Sequence, residues 1–263
     1  MSPKKAVAFL DILGFKEMIA NLSTNDLAEK YTRIISMTEA FNKDLIQEHS
    51  EPQLVPSLEP GKNWCIKRVF SDSIILIAND ESEESCLRLL LYTWKLMQAC
   101  LSFQMPFRGG IAYDEIYVNE AQEIFLGKAL TKAFELESSQ DWIGVAIHKE
   151  LSEHYKNIFN GSIHPVLTNI FLQYLVPFKG GGRKELNTIN WRFNFIVEKG
   201  TRSLMPYSNS KGVIEKIKNT LEYAKHVVDS GQIYITNEEK APIEVRSFWC
   251  GGKEPPFPHG DDL

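Results

Sequence analysis

Two apolar runs in this chain are separated by only two residues, and that short link restricts the fold class. Trp64 to Phe70 and Ser73 to Ala78 flank Ser71-Asp72, a spacing that reads as an antiparallel hairpin. The segments before and after it carry helical periodicity. Tyr31, Ile34, Ile35, Thr38, Phe41 and Leu45 recur on one side of a helix within 16–48, which Ser23-Thr24-Asn25-Asp26 splits in two. Leu87, Leu90, Leu91, Trp94, Met97 and Leu101 do the same in a second helix. A hairpin among helix-linked strands fits a ferredoxin-like α+β sheet, with helices on one face, better than a doubly wound parallel sheet.

The remaining elements follow in order. Residues 5–10 form a buried strand ending at Asp11, and 50–61, with three prolines and a glycine, form a loop. Phe107 to Tyr113 is a strand containing Gly109-Gly110, and 115–118 extends the sheet. Gly127 opens a helix reaching about Ser138, and Ile143 to Ile147 is a short strand. Beyond residue 150, strands are predicted over 170–178 and 188–197 around the loop 179–184, then a helix over 211–228 and a strand near Ile233. The tail from Gly251, with three prolines, reads as irregular. The chain thus divides at about residue 150 into a first domain and a C-terminal α/β extension that packs on it or completes it.

A carboxylate at the end of an apolar strand needs a reason, because an unpaired buried charge is costly. Asp11 follows Val7-Ala8-Phe9-Leu10, and Asp72 lies between Val69-Phe70 and Ile74-Ile75-Leu76. If the first strand pairs with the hairpin, both aspartates reach one end of the sheet. There they could share two divalent ions, with the Ile12 carbonyl as a further ligand, neutralise a triphosphate and activate a ribose hydroxyl. The bland reading of the same residues is a turn aspartate and a helix cap.

At this point the sequence resembles a family, the class III adenylate and guanylate cyclases. Phe9-Leu10-Asp11-Ile12-Leu13-Gly14-Phe15 resembles their first metal motif, and Phe70-Ser71-Asp72-Ser73 their hairpin motif with Ser71 in place of glycine. Arg108-Gly109-Gly110-Ile111 matches their Arg-x-Gly-Ile strand, and Gly127 to Glu137 resembles the helix that follows. The four motifs keep family order over residues 5–150. The resemblance implies magnesium or manganese on Asp11, Ile12 and Asp72, with a nucleoside triphosphate contacting Gly14, Phe15 and Arg68. It also implies a homodimer, because class III sites form between two subunits.

Two departures bear on turnover. Thr131 and Glu135 stand where the family carries an asparagine and an arginine that support the transition state. A glutamate repels a triphosphate, so Lys128 or Lys132 would have to supply the charge. The same stripe of Lys128, Thr131, Lys132 and Glu135 also reads as a solvated face with a Lys132–Glu135 pair. Arg68 stands four residues before Asp72, where adenylate cyclases carry lysine and guanylate cyclases glutamate. Its donor-only fork suits a uracil or guanine carbonyl, which makes the pyrimidine cyclases of bacterial anti-phage signalling a relevant comparison.

Composition narrows the remaining classes. A net charge of −5 and 24% charged residues argue against a general nucleic-acid or anionic-membrane binder. Cys65, Cys86, Cys100 and Cys250 form no CxxC pair, so no structural zinc is expected. No signal peptide or membrane span is read, and the expected compartment is the cytoplasm. Gly180-Gly181-Gly182-Arg183-Lys184 lacks P-loop spacing and reads as a hairpin loop. His148 and His154 read as surface residues. The leading expectation is a nucleotidyl cyclase making a 3′,5′-cyclic nucleotide and pyrophosphate. The alternatives are a nucleotide-binding or dimerisation module without turnover and a palm-type dinucleotide synthetase.

Overall fold

The structure is a computed structural model that describes residues 2–47, 63–163, 165, 167–191 and 211–230. The first helices and strands are β1 (Lys4–Ile12), α1 (Phe15–Asn21), α2 (Thr24–Gln47), β2 (Ile66–Phe70), β3 (Ser73–Ile77) and α3 (Glu83–Ser102). Next come β4 (Phe107–Glu115), β5 (Tyr117–Asn119), β6 (Ile124–Leu126), α4 (Lys128–Ser139), β7 (Val145–Ile147), α5 (Lys149–His154) and α6 (Lys156–Phe159). The chain continues through α7 (Leu167–Ile170), β8 (Phe171–Pro177), β9 (Arg183–Ile189) and α8 (Lys211–Asp229).

One mixed sheet of seven strands runs in the order β2-β3-β1-β4-β7-β9-β8. β1 lies antiparallel to both β3 and β4, while β4 and β7 are parallel. β1 is central because its sequence is apolar on both faces, as a strand covered twice requires. Ala6, Ala8, Leu10 and Ile12 join the main core with Ile74, Leu76 and the buried residues of α3. Val7 joins a second core with Ile77, Ala112, Ala129 and Ala133, and Phe9 packs against it. Alternation along a strand puts these two sets on opposite faces.

The expected mixed α+β architecture is present, with one difference in its layers: helices cover both faces rather than one. α4 reaches the second face because β4 offers no side chain at Gly110. A Cβ there would stand 2.3 Å from the Ala133 carbonyl and 2.8 Å from the Glu137 amide. α8 covers the same face further along, with Tyr223 fully buried and its ring 4.7 Å from that of Trp142. β8 and β9 reach the sheet through β7, so strands from both sides of residue 150 share it.

Two strand predictions shift. Residues 117–119 do not extend the main sheet but pair with β6 in a separate two-stranded ribbon. The β8–β9 hairpin turns within Phe178 to Gly182, where Gly180 and Gly181 hold φ of 88°. Arg183 and Lys184 are therefore already strand, and β9 starts five residues earlier than its apolar pattern suggests because its first half is polar and exposed. Loop 50–61, residues 192–197, the strand near Ile233 and the C-terminal tail lie outside the described residues. Among the described residues, no helix is long and apolar enough to cross a membrane.

The approach of α4 to β4 gives a direct test. Gly110→Ala is expected to cost about 2–3 kcal/mol, because backbone rather than a movable side chain must yield. Gly182→Ala, with nothing within 4 Å of the added Cβ, serves as the neutral control. Thermal unfolding of both variants checks the difference; equal melting temperatures would refute this packing.

Candidate functional site

Asp11 lies at the end of β1 on the face that α4 covers, between its register partners Ser73 on β3 and Arg108 on β4. Asp72 occupies the second position of the β2–β3 turn. The Ile12 amide donates to the Asp72 carbonyl at 2.8 Å, which fixes the turn against the end of β1. In an extended strand the carbonyl of Ile12 leaves on the same side as its amide, so it is directed at this turn as well. Ser71 holds a left-handed φ of 55°, the conformation glycine adopts without cost. The Tyr31 hydroxyl donates to the Ser71 carbonyl at 2.9 Å, tying α2 to the turn.

Both carboxylates are half-buried. Among the described residues, neither has a hydrogen bond or an ion pair through its side chain. Burial pushes the Asp11 carboxyl up to about 6, with the charges of Glu137 and Asp72 adding to the rise and those of Arg108 and Lys216 opposing it. The Tyr31 phenol is also raised, by burial first and then by its neighbours Cys100, Asp72 and Asp11. A half-buried carboxylate without a donor, next to a second one, is an environment that a cation would relieve.

Beneath this pair lies a buried ion pair. Arg108 is 6% exposed and Glu137 2%. Arg108 Nε donates to Glu137 Oε1 at 2.7 Å, and its Nη1 donates to the Gln140 carbonyl at 2.8 Å. The Gln140 amide donates to the Gly109 and Leu136 carbonyls and accepts from Trp142 Nε1 at 2.7 Å. The Arg108 charge is thus shared with Glu137 and offsets Asp11 only in part.

The donor set suits a hard divalent cation. Two carboxylates and a backbone carbonyl are oxygen ligands of the kind magnesium and manganese take, with remaining positions for phosphate oxygens and water. Among the described residues, no group of three or more His, Cys, Asp or Glu forms a closed metal cage. The residues therefore fit a cation bound together with an anionic ligand.

The other predicted residues separate into groups. Gly14 has φ 75° and begins α1, and Phe15 is buried with its ring 6.5 Å from that of Tyr31. Arg68 shares the Asp11 face, but its Nη1 donates to the Lys67 carbonyl, its Nη2 to Glu120 at 3.2 Å, and its guanidinium covers Phe125. Lys128, Thr131 and Glu135 are exposed along α4. Lys132 turns away from that stripe and pairs with Asp114 and Glu150, not with Glu135. Lys128 pairs with Glu115 at 3.5 Å. Asp114 and Arg108 are six positions apart on β4, so these lysines stand about 20 Å along the sheet from Asp11 in one protomer.

Three residues at the site were not singled out by sequence. Arg108 and Glu137 lie within quoted motifs, and strand register alone would place Arg108 opposite Asp11. Lys216, on α8, has no local signal.

No protein-family model matches the chain, and no curated protein matches it. Among solved structures it is similar to the guanylate cyclase domain of RhGC from Catenaria anguillulae in complex with GTP. That match has 13% identity and a TM-score of 0.49, covering 73% of this chain and 98% of that one. The catalytic core of a rhodopsin-guanylyl cyclase with converted specificity, in complex with ATPαS, gives 13% identity, a TM-score of 0.49, and coverage of 72% and 96%. An adenylate/guanylate cyclase/hydrolase from Silicibacter pomeroyi gives 12% identity, a TM-score of 0.42, and coverage of 72% and 99%.

The raised Asp11 carboxyl sets a pH dependence. Below its ordinary value of 3.8 both folded and unfolded states hold the proton. As pH climbs toward 6 the unfolded chain ionises first, so wild-type stability falls over that window and levels off above it. Asp11→Asn removes this loss. The metal-free variant is expected to melt above wild type near neutral pH and to converge with it near about pH 4. Melting curves in chelator across this range check it, and parallel profiles would contradict it.

Proposed function

We propose that this chain is a metal-dependent nucleotidyl cyclase, converting a nucleoside triphosphate to a 3′,5′-cyclic nucleotide and pyrophosphate. The observation that carries the reading is the meeting of Asp11 and Asp72, two half-buried carboxylates without protein partners among the described residues, at one end of the sheet. The family resemblance of the surrounding motifs supplies the reaction type. Asp11, Asp72 and the Ile12 carbonyl would hold two magnesium or manganese ions, whose chemistry is to neutralise the triphosphate and lower the cost of ionising the ribose 3′-hydroxyl. The 3′-hydroxyl gives its proton to water, its oxygen forms a bond to the α-phosphorus, the α–β bridging bond breaks, and pyrophosphate leaves with the electron pair.

A second copy of the chain belongs to this reading. Lys128, paired with Glu115, stands about 20 Å along the sheet from Asp11 in its own protomer, and only another protomer could bring it to the same substrate. Phe70, 82% exposed, and Phe134, 49% exposed, add apolar surface on the α4 side that supports pairing as a homodimer. A base carbonyl reaching Arg68 would replace its contact to exposed Glu120, which favours uracil or guanine over adenine. A role in bacterial anti-phage signalling accords with a pyrimidine product.

A second reading rests on α4. Glu135 is exposed where a cation is needed, and Lys132 is engaged by Asp114 and Glu150. These features favour a module that binds nucleotide or dimerises without turnover.

Incubation with each of the four NTPs and manganese, followed by mass spectrometry of the products, separates these readings. A cyclic mononucleotide, reduced roughly a hundredfold or more in Asp72→Ala, is the expected result. Metal-dependent NTP binding without product would support the second reading, and a dinucleotide would indicate palm-type synthesis. Binding and turnover independent of both Asp11 and Asp72 would refute the metal site.

A further inference from the structure

We propose that Lys216, on α8 of the same protomer, is a ligand for the phosphate chain, so that α8 completes the site built by β1, β3 and β4. This rests on the cyclase reading above.

The placement of Lys216 follows from how α8 is docked. The Asn219 amide donates to the Asp141 carbonyl at 2.7 Å, and the Ile143 N–H donates to Thr220 Oγ1 at 2.9 Å. Both contacts clamp one turn of α8 onto the segment between α4 and β7. Thr220 is fully buried, and its hydroxyl also donates to the Lys216 carbonyl at 2.6 Å. Lys216 and Thr220 are four apart and share a helix face, so the lysine leaves α8 on its docked side, half-buried, one turn towards the helix N-terminus.

The Asn219 contact to Asp141 sets this turn of α8 next to Gln140, whose carbonyl accepts from Arg108, the register partner of Asp11. Arg108, Asp141, Lys179 and Asp11 all act on the Lys216 ammonium, and Lys216 in turn acts on Asp11. The Lys179 amide donates to the Ser139 carbonyl at 2.8 Å, so the β8–β9 turn joins the same cluster. Of the cations here, Arg108 is matched by Glu137, and Lys179 is exposed. Among the described residues, no ion pair or hydrogen bond occupies the Lys216 ammonium. Burial disfavours its charge, and an anion would restore it.

The anion must be one that lies beside Asp11 without being repelled. A polyphosphate bridged to the aspartates by divalent cations meets that condition, and an ammonium with three donors suits its oxygens. Lys216 would then supply the positive charge that Glu135 of α4 does not.

Calorimetric titration with inorganic tripolyphosphate and magnesium tests the site without requiring turnover. Wild type is expected to bind. Lys216→Met should bind about 10–30-fold more weakly, the loss of one charge-assisted contact, and Lys216→Arg should stay within about threefold of wild type. Asp72→Ala should lose binding. Lys216→Met is expected to melt no lower than wild type, since it replaces a half-buried charge with an apolar stem, and Lys216→Gln repeats the test if the methionine variant fails to fold. Unchanged affinity in Lys216→Met, with binding lost in Asp72→Ala, would overturn this inference and leave the cyclase reading standing; Lys216 would then only balance Asp11. Equal loss in the Arg and Met variants would overturn it as well. No binding by wild type would overturn both.

Discussion

The buried pair between Arg108 and Glu137 is the interaction on which the site's construction depends. It joins the start of strand β4 to the last turn of α4, and through the Gln140 carbonyl it reaches the segment that α8 clamps. Pairs of this kind owe their worth to geometry rather than to net energy, since desolvation of both ions offsets their attraction. Removing one partner is the costly event, because it strands the other in a low-dielectric setting. Here that stranded charge would stand next to Asp11. With both partners in place, Arg108 offsets Asp11 only in part, and burial still raises its carboxyl.

The fold was legible wherever apolar pattern and local geometry agreed. The hairpin around Ser71-Asp72 needed only a two-residue link, and α2 and α3 followed from periodicity. What did not show was anything decided by long-range packing. Tyr117 to Asn119 has strand character but finds its partner in β6. β9 begins with charged Arg183, Lys184 and Glu185, whose strand state comes from seven register partners on β8 rather than from their own propensities. The second helical layer was hidden because Gly110, which admits it, resembles any strand glycine.

The placement of Asp11 and Asp72 together at one end of the sheet was legible because a charge among apolar residues is conspicuous in one dimension. The electrostatic frame around them was not. Glu137 sits in a motif as one more helix acid, and its role appears only when α4 lies on β4. Lys216 belongs to a helix more than 140 positions from Asp72, and its approach is fixed by Asn219 and Thr220 bonding to backbone at 141 and 143. The α4 stripe was ambiguous in the sequence, and the structure divides it. Lys132 faces Asp114 and α5, while Thr131 and Glu135 face outward.

Strand register and helix approach are coupled at this end of the sheet. A one-residue slip of β1 would bury Asp11 among the α3 side chains and present Leu10 in its place. Antiparallel partners on both sides resist that slip, with Asp11 held against Ser73 and Arg108 at once. The missing side chain at Gly110 lets α4 lie close enough for Glu137 to meet Arg108, two residues away on the same face. The contact that packs the second layer therefore also neutralises the one cation in register with Asp11. An aspartate so placed is held in register, half-buried and beside a second carboxylate, a setting that the divalent ion proposed above would relieve.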